Sequence, residues 1–352
     1  MHPPYSPFKL TQQEYAEAIF SKLGKGREHA ALLYREWFSH GTADGLTPSF
    51  HNAESLRQNI LALTDLSLPP VSSSLVEGST CKFLLDVGGG LTCESVLLPM
   101  RSGWTLCLSS QVGCRMGCSF CETGRMGLLR NLRADEIVAQ VWTACHIMGK
   151  RPRNLVFMGM GEPFDNYDEV MRAVLLLTSS GGLKLYPRNI TLSTSGRVDA
   201  IYRFIEEGDP SLHLAVSVNA PTDAIRTKLM AVNRKFDLEA LYRAMQAYCA
   251  HPRRLIFAEY VLIREINDTP ECAAALANYL RGLRVKINLI PYNPGRHLRY
   301  LPPTSATVEA FAAILRAEGY RVLVRGTKGQ AIMAACGQLG GRKEKVAFKS
   351  TS

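Results

Sequence analysis

From about residue 105 onward, short apolar segments alternate with longer segments of helical period. Strand patterns fall at 105–109, 154–158, 189–194, 212–218, 254–262 and 285–290. Helical patterns fall at 133–148, 166–179, 197–207, 222–230, 237–250 and 269–282, followed by a helix at 304–318 and a strand at 320–325. Parallel strands cannot be joined by a tight turn, so this alternation predicts an α/β fold with a parallel sheet and helical crossovers. A doubly wound sheet and a partial barrel both satisfy it. Polar groups follow nearly every strand: the Cys114 loop, Gly161-Glu162, Ser193, Ser217-Val218-Asn219 and Asn293. Barrels collect their working groups at the carboxyl ends of strands, which favours a barrel-like site.

The segment before this alternation reads differently. Thr11 caps a helical pattern through Tyr15, Ala18, Ile19 and Leu23, and further helices are expected at 29–38 and 53–63. Leu68-Pro69-Pro70 ends this region. Strands follow at 81–87 and 92–98, separated by Gly88-Gly89-Gly90. The expected organisation is a helical domain at 1–75, a β extension at 76–104, a core at 105–340 and a basic tail at 341–352. A chain of 352 residues exceeds the ~250–300 at which one core stops growing, consistent with a large domain and an appendage.

Forty-one Lys and Arg against 31 Asp and Glu leave a formal charge of +10, which attracts polyanions such as nucleic acid. No apolar run approaches the roughly 18 residues of a membrane span, and Met1-His2-Pro3-Pro4 lacks the basic and apolar regions of a signal peptide. The expectation is a cytoplasmic protein without a membrane partner.

Most of the ten cysteines are isolated. Three are not: Cys114-Arg-Met-Gly-Cys118-Ser-Phe-Cys121 follows directly on a strand. Thiolates at C-x3-C-x2-C spacing suit an iron–sulfur cluster, whereas structural zinc normally takes four ligands, commonly from two C-x2-C pairs. Three ligands leave one iron of a 4Fe–4S cluster open. The bland alternatives are an incomplete zinc site or three unrelated cysteines.

With Phe120 before its third cysteine, this motif resembles the signature of radical S-adenosylmethionine (SAM) enzymes. Ser109-Ser-Gln-Val-Gly-Cys114, Gly159-Met-Gly-Glu162-Pro163, Leu192-Ser-Thr-Ser-Gly196, Ile290-Pro-Tyr-Asn293-Pro and Ala335-Cys336-Gly-Gln-Leu339 together resemble the RlmN/Cfr family, over roughly 79–340. The resemblance implies a partial β6/α6 barrel, a 4Fe–4S cluster on Cys114, Cys118 and Cys121, and SAM held by Gly161, Glu162, Ser193, Ser217, Val218, Asn219 and Asn293. It also implies methylation of a ring carbon of adenosine in 23S rRNA, and in one branch of tRNA. Asn219 stands where the family usually has His.

In that family a distant cysteine, matching Cys336, becomes S-methylated. The ring carbons are electrophilic and cannot attack SAM's methyl group, whereas a thiolate can. Cys107 matches the resolving cysteine, which would form a disulfide with Cys336 to free the product. Glu94 matches the proposed proton acceptor. Ala331-Ile332-Met333-Ala334 replaces a more acidic lead-in to the Cys336 motif.

Pro163 and Ile290-Pro-Tyr-Asn293-Pro resemble the carbon-2 branch; Gly103-Trp104 and Cys121-Glu-Thr-Gly124 with Gly127-Leu128 look closer to the carbon-8 branch. Carbon 2 is favoured. Arg115, Arg125, Arg130 and Arg133 around the cysteine loop are candidates for neutralising phosphates. An electron donor such as flavodoxin and a monomeric state are further expectations. Competing readings are a radical SAM enzyme of another class and a non-enzymatic iron–sulfur or zinc RNA-binding module.

Overall fold

The computed structural model describes residues 3–44, 50–296, 299–326 and 328–340. The basic tail expected at 341–352 lies outside the described residues.

The chain opens with three helices, α1 (Gln12–Leu23), α2 (Arg27–His40) and α3 (Glu54–Ala62). Thr11 and Glu14 form a capping box: Glu14 N–H donates to Thr11 Oγ1 and Thr11 N–H to Glu14 Oε2, at 3.3 and 2.7 Å. Three antiparallel strands follow, β1 (Val71–Glu77), β2 (Thr80–Asp86) and β3 (Thr92–Met100), and β3 pairs antiparallel with β4 (Gly103–Cys107). The β extension therefore begins at Val71, before the boundary expected at 75/76. Val71-Ser-Ser-Ser-Leu-Val-Glu is an edge strand with alternate residues exposed and the rest only half-buried, so it carries little apolar signal.

After β4 comes a short hairpin, β5 (Gln111–Cys114) and β6 (Gly127–Asn131), enclosing the one-turn helix α4 (Glu122–Arg125). The cysteine loop was expected as irregular chain after a strand; its first cysteine instead ends β5. Four residues without apolar alternation give no strand pattern to read.

From there the alternation runs as expected: α5 (Ala134–His146), β7 (Pro152–Phe157), α6 (Tyr167–Thr178), β8 (Ile190–Thr194), α7 (Val198–Glu207), β9 (His213–Ser217), α8 (Asp223–Leu229), α9 (Leu238–Cys249), β10 (Ile256–Leu262), α10 (Pro270–Tyr279), β11 (Val285–Pro291), α11 (Ser305–Ala317) and β12 (Arg321–Val324). The strands other than β5 and β6 form one sheet in the order β1-β2-β3-β4-β7-β8-β9-β10-β11-β12, parallel from β4 to β12. Among the described residues β1 and β12 are not paired to each other, so the barrel is partial.

Strand alternation sorts side chains into two sets. Along β8, Ile190, Leu192 and Thr194 are buried while Thr191 and Ser193 between them are half-buried. The helices answer with apolar stripes, as in α9, where Leu238, Leu241, Ala244, Met245 and Tyr248 are buried.

The N-terminal helices share the barrel's hydrophobic core. Trp37 of α2 stacks on Trp142 of α5 at 4.7 Å between ring centroids, and Phe8 meets both edge-on at 6.2 Å. Trp142 Nε1 donates to Trp37 O at 3.2 Å. Trp142→Ala would empty the centre of this joint and is expected to cost about 3–5 kcal/mol in denaturant unfolding, the range for aromatic truncations in cores.

Candidate active site

Two segments meet where the strands end. Beyond β4, Leu108 N–H donates to Val156 O and Gly159 N–H to Leu108 O, both at 2.9 Å. Ser110 and Gln111 N–H both donate to Met160 O, at 2.8 and 3.1 Å. This approach leaves no room for side chains on the inner face. A Cβ on Gly159 would stand 2.6 Å from Leu108 O, and one on Gly161 would stand 2.7 Å from Ser110 Oγ. Gly161 also has φ +106°, a conformation open mainly to glycine. The glycines of Gly159-Met-Gly161 thus let the segment after β7 lie against the strand leading to Cys114.

Glu162 follows at once. Its Oε2 accepts from Ser195 N–H at 2.7 Å and its Oε1 from Phe164 N–H at 3.2 Å. Burial raises its pKa from the usual carboxylate value, and the Ser195 and Thr194 hydrogen bonds oppose that shift. A carboxylate has about four acceptor positions, so two backbone donors leave capacity for an ammonium group.

A cavity opens above these groups, lined by Cys114, Cys118, Cys121, Gly161, Glu162, Ser193, Ser217, Asn219, Glu259 and Cys336 among others. Val218 and Asn293 are not among the lining residues. Val218 is fully buried and gives its carbonyl to Arg226, whereas Asn293 Nδ2 donates to Cys336 O at 3.3 Å. Asn219 lines the cavity at φ +56°, a left-handed conformation that Asn tolerates. Its Oδ1 accepts from Val261 N–H at 2.8 Å and its Nδ2 lies 3.4 Å from Met230 Sδ.

The Cys336 loop is pinned over the cysteine loop. Glu122 N–H donates to Gly337 O at 2.8 Å, Thr123 Oγ1 to Leu339 O at 2.6 Å, and Gln338 Nε2 to Pro294 O at 2.7 Å. Cys336 is exposed to the cavity, while Cys107, at the end of β4, is buried. Desolvation raises the pKa of both thiols, and the next contribution differs: Glu259 for Cys336, and Cys336 itself for Cys107. Cys107 and Cys336 therefore lie within electrostatic reach of each other.

Glu94 is 2 % exposed and is not among the cavity-lining residues. Its Oε2 lies 3.2 Å from Lys82 Nζ and its Oε1 accepts from Gly340 N–H at 3.0 Å. Three of the four arginines around the cysteine loop pair with carboxylates of the protein. Arg115 pairs with Asp165 at 2.7 Å, Arg130 with Glu136 at 2.7 Å and Arg133 with Asp135 at 3.1 Å. Arg115 and Arg133 remain more than half exposed beside their carboxylates.

The sequence reading missed two charged groups. Arg226 of α8 is completely buried beneath the strand ends. It donates to Val218 O, Asn233 Oδ1, Ser195 O and Ser217 O at 2.6–3.1 Å, tying together the ends of β8 and β9. An arginine in a short helix rich in polar residues gives no sign of this. Glu259 of β10 is 5 % exposed, and Asn288 Nδ2 of β11 donates to its Oε1 at 2.6 Å. Burial pushes its pKa up to about 7. Here a signal existed: one acid inside the apolar run Ile256-Phe-Ala-Glu-Tyr-Val-Leu262.

Among the described residues, no three His, Cys, Asp or Glu side chains come close enough to grip a single ion. The cysteines of the motif share one cavity wall without meeting at a point. Their pKa values are all raised by burial, Cys114 to about 12, and Cys118 is raised further by the other two. Soft thiols that repel one another as anions, with no fourth protein ligand, fit three corners of a 4Fe–4S cluster, whose iron would stabilise the thiolates.

Residues 108–277 match the model of the radical SAM superfamily. A probable dual-specificity RNA methyltransferase RlmN 1 of Protochlamydia amoebophila (strain UWE25) is 53% identical over 96% of this chain and 94% of its own length. A dual-specificity RNA methyltransferase RlmN of Syntrophus aciditrophicus (strain SB) is 38% identical over 94% of each. The crystal structure of a radical SAM methyltransferase from Sphaerobacter thermophilus superposes with a TM-score of 0.87 at 37% identity, covering 95% of this chain and 99% of that one. The chain belongs to the RlmN family of radical SAM methyltransferases. As in that family, its cofactors are a 4Fe–4S cluster and SAM.

In this RlmN family member, Gly161→Ala is expected to weaken SAM binding at least ~10-fold by calorimetry, because the added methyl would drive Glu162 from its seat. Glu259 gives a second prediction. Its folded-state pKa of about 7 lies above the ordinary 4.5, so the folded chain binds the proton more tightly and loses stability as pH rises between those values. Glu259→Gln should remove that loss and unfold with about 3 kcal/mol more stability at pH 8.

Proposed function

We propose that this radical SAM methyltransferase methylates carbon 2 of an adenosine in 23S rRNA, and also a tRNA adenosine, with Cys336 carrying the methyl group. The carrying observation is that Cys336, more than 200 residues from the cysteine motif, lines the same cavity as Cys114, Cys118 and Cys121 and lies within electrostatic reach of Cys107. Relatives named dual-specificity RNA methyltransferases and the net charge of +10 support an RNA substrate. An unstacked loop adenosine is required, since a paired base cannot enter such a cavity. Among the described residues no helix is long and apolar enough to cross a membrane. Cytoplasmic location, a monomeric state and reduction by a flavodoxin-like donor complete the reading.

Cys114, Cys118 and Cys121 would hold the cluster. Gly161, Glu162, Ser193, Ser217 and Asn219 would hold SAM around it, with Val218 and Asn293 supporting from behind. When bound, the reduced cluster and SAM would supply a 5′-deoxyadenosyl radical able to take a hydrogen atom from the S-methyl carbon of Cys336. Cys336 first accepts the methyl by displacement at carbon; its methylene carbon would then add to the electron-poor ring carbon, and the adduct would give up one electron to the oxidised cluster and the ring proton to a base. Cys107 would attack the Cys336 sulfur, forming the disulfide as the bond from that sulfur to the methylene carbon breaks; the electron pair passes into the base, the methylene carbon takes a proton to become the methyl group, and the methylated base leaves. Glu94 is kept as acceptor of the ring proton on family resemblance alone, its carboxylate being held by Lys82 and Gly340 under the Cys336 loop.

The test incubates anaerobically reconstituted protein with ribosomal RNA and SAM and identifies the nucleoside by mass spectrometry. We expect 2-methyladenosine; 8-methyladenosine alone would overturn the choice of carbon, and zinc in place of iron in the purified protein would overturn the enzyme assignment. Cys336→Ala should lower methyl transfer more than about 1,000-fold while SAM cleavage continues. Cys107→Ala should accumulate protein bound covalently to RNA, visible as a nuclease-resistant mass shift.

A further inference from the structure

Glu259 is a buried carboxyl group with no part in the scheme above. The register pairs it with Ser217 of β9 and Asn288 of β11, placing it in the row of strand positions that also carries Ser217 on the cavity wall. Asn288 takes one carboxyl oxygen. The other is left for the cavity that Glu259 and Cys336 both line. Of the charged groups around Cys336, Glu259 acts on it most strongly, and Arg325, just beyond β12, is the cation whose field reaches both. A thiol does not take a methyl group from SAM as readily as a thiolate does, and Cys336 sits where desolvation disfavours the thiolate. A proton acceptor lining the same cavity would let Cys336 react as the thiolate.

We propose that Glu259 is the proton acceptor for methyl loading of Cys336. The Cys336 S–H bond breaks and its proton passes to a Glu259 carboxylate oxygen. The sulfur electron pair forms the new bond to the methyl carbon. The bond from that carbon to the sulfonium sulfur breaks, its electrons neutralise the sulfonium, and S-adenosylhomocysteine leaves. Asn288 positions the carboxylate through its amide. This inference rests on the reading of Cys336 as methyl carrier.

The experiment follows two reactions of the same thiol in cluster-loaded protein at pH 7.5, each located by peptide mass spectrometry. One is single-turnover methylation of Cys336 by SAM. The other is alkylation of Cys336 by iodoacetamide without SAM. Glu259→Gln is expected to slow methylation about 100-fold, the usual scale of a lost general base. Alkylation should hold or rise a few-fold, because removing a neighbouring negative charge favours the thiolate. Glu259→Asp, which keeps a carboxylate, should recover part of the methylation rate. Wild-type methylation in the Gln variant would overturn the proposal, and so would an equal fall in both reactions, which would mark a displaced loop. If wild-type Cys336 never acquires a methyl group, the carrier reading itself fails and this inference with it.

Discussion

The backbone contact between Gly159–Glu162 and Leu108–Gln111 governs the site. One segment ends β7 and delivers a carboxylate; the other extends β4 and delivers the first cysteine. Hydrogen bonds from Ser110 and Gln111 N–H to Met160 O, and from Glu162 N–H to Gln111 Oε1 at 2.8 Å, hold the two in one register. The Glu162 carboxylate is thereby fixed relative to Cys114 by main-chain contacts and by the buried Gln111 side chain. Such precision suits a reaction in which a displacement of about 1 Å costs orders of magnitude in rate.

A second constraint brings the end of the chain back to its middle. The segment from Met333 to Gly340 contributes no strand or helix, yet parts of the chain far apart in sequence hold it. Lys82 reaches Met333 O, Glu94 reaches Gly340 N–H, Glu122 and Thr123 reach Gly337 and Leu339, and Asn293 and Pro294 meet Cys336 and Gln338. The β extension is therefore more than an edge to the barrel. Its buried Lys82–Glu94 pair is a seat for the loop that carries Cys336, which gives a physical reason for a buried ion pair whose net effect on stability need not be favourable.

Much of this was legible in the sequence. Strand and helix periods located the parallel run, and the spacing of Cys114, Cys118 and Cys121 located one wall of the site. What escaped was local structure without apolar period: β1, with its three serines, and the four residues of β5. Tertiary choices escaped too. Arg130 and Arg133 read equally well as surface cations, and only folding decides that they pair with Glu136 and Asp135. Cys107 and Cys336 each read as small buried residues until family resemblance joined them. Arg226 could not have been found from composition, because its meaning lies in carbonyl groups exposed by the ends of two other strands.

The groups that sequence reasoning missed share a physical character. Arg226 and Glu259 are charges taken out of water at the base of the cavity, one hydrogen-bonded to neutral oxygens and the other to a neutral amide. Neither arrangement favours stability: burial lowers the pKa of Arg226 and raises that of Glu259, so each is strained toward its neutral form. A fold selected for stability alone would fill both positions with apolar residues. Their positions differ in a way that separates their roles. Arg226 is enclosed and gives its donors to backbone at the strand ends, so it acts on shape. Glu259 instead lines the cavity that Cys336 also lines, so its carboxylate is placed to act on what occupies that space.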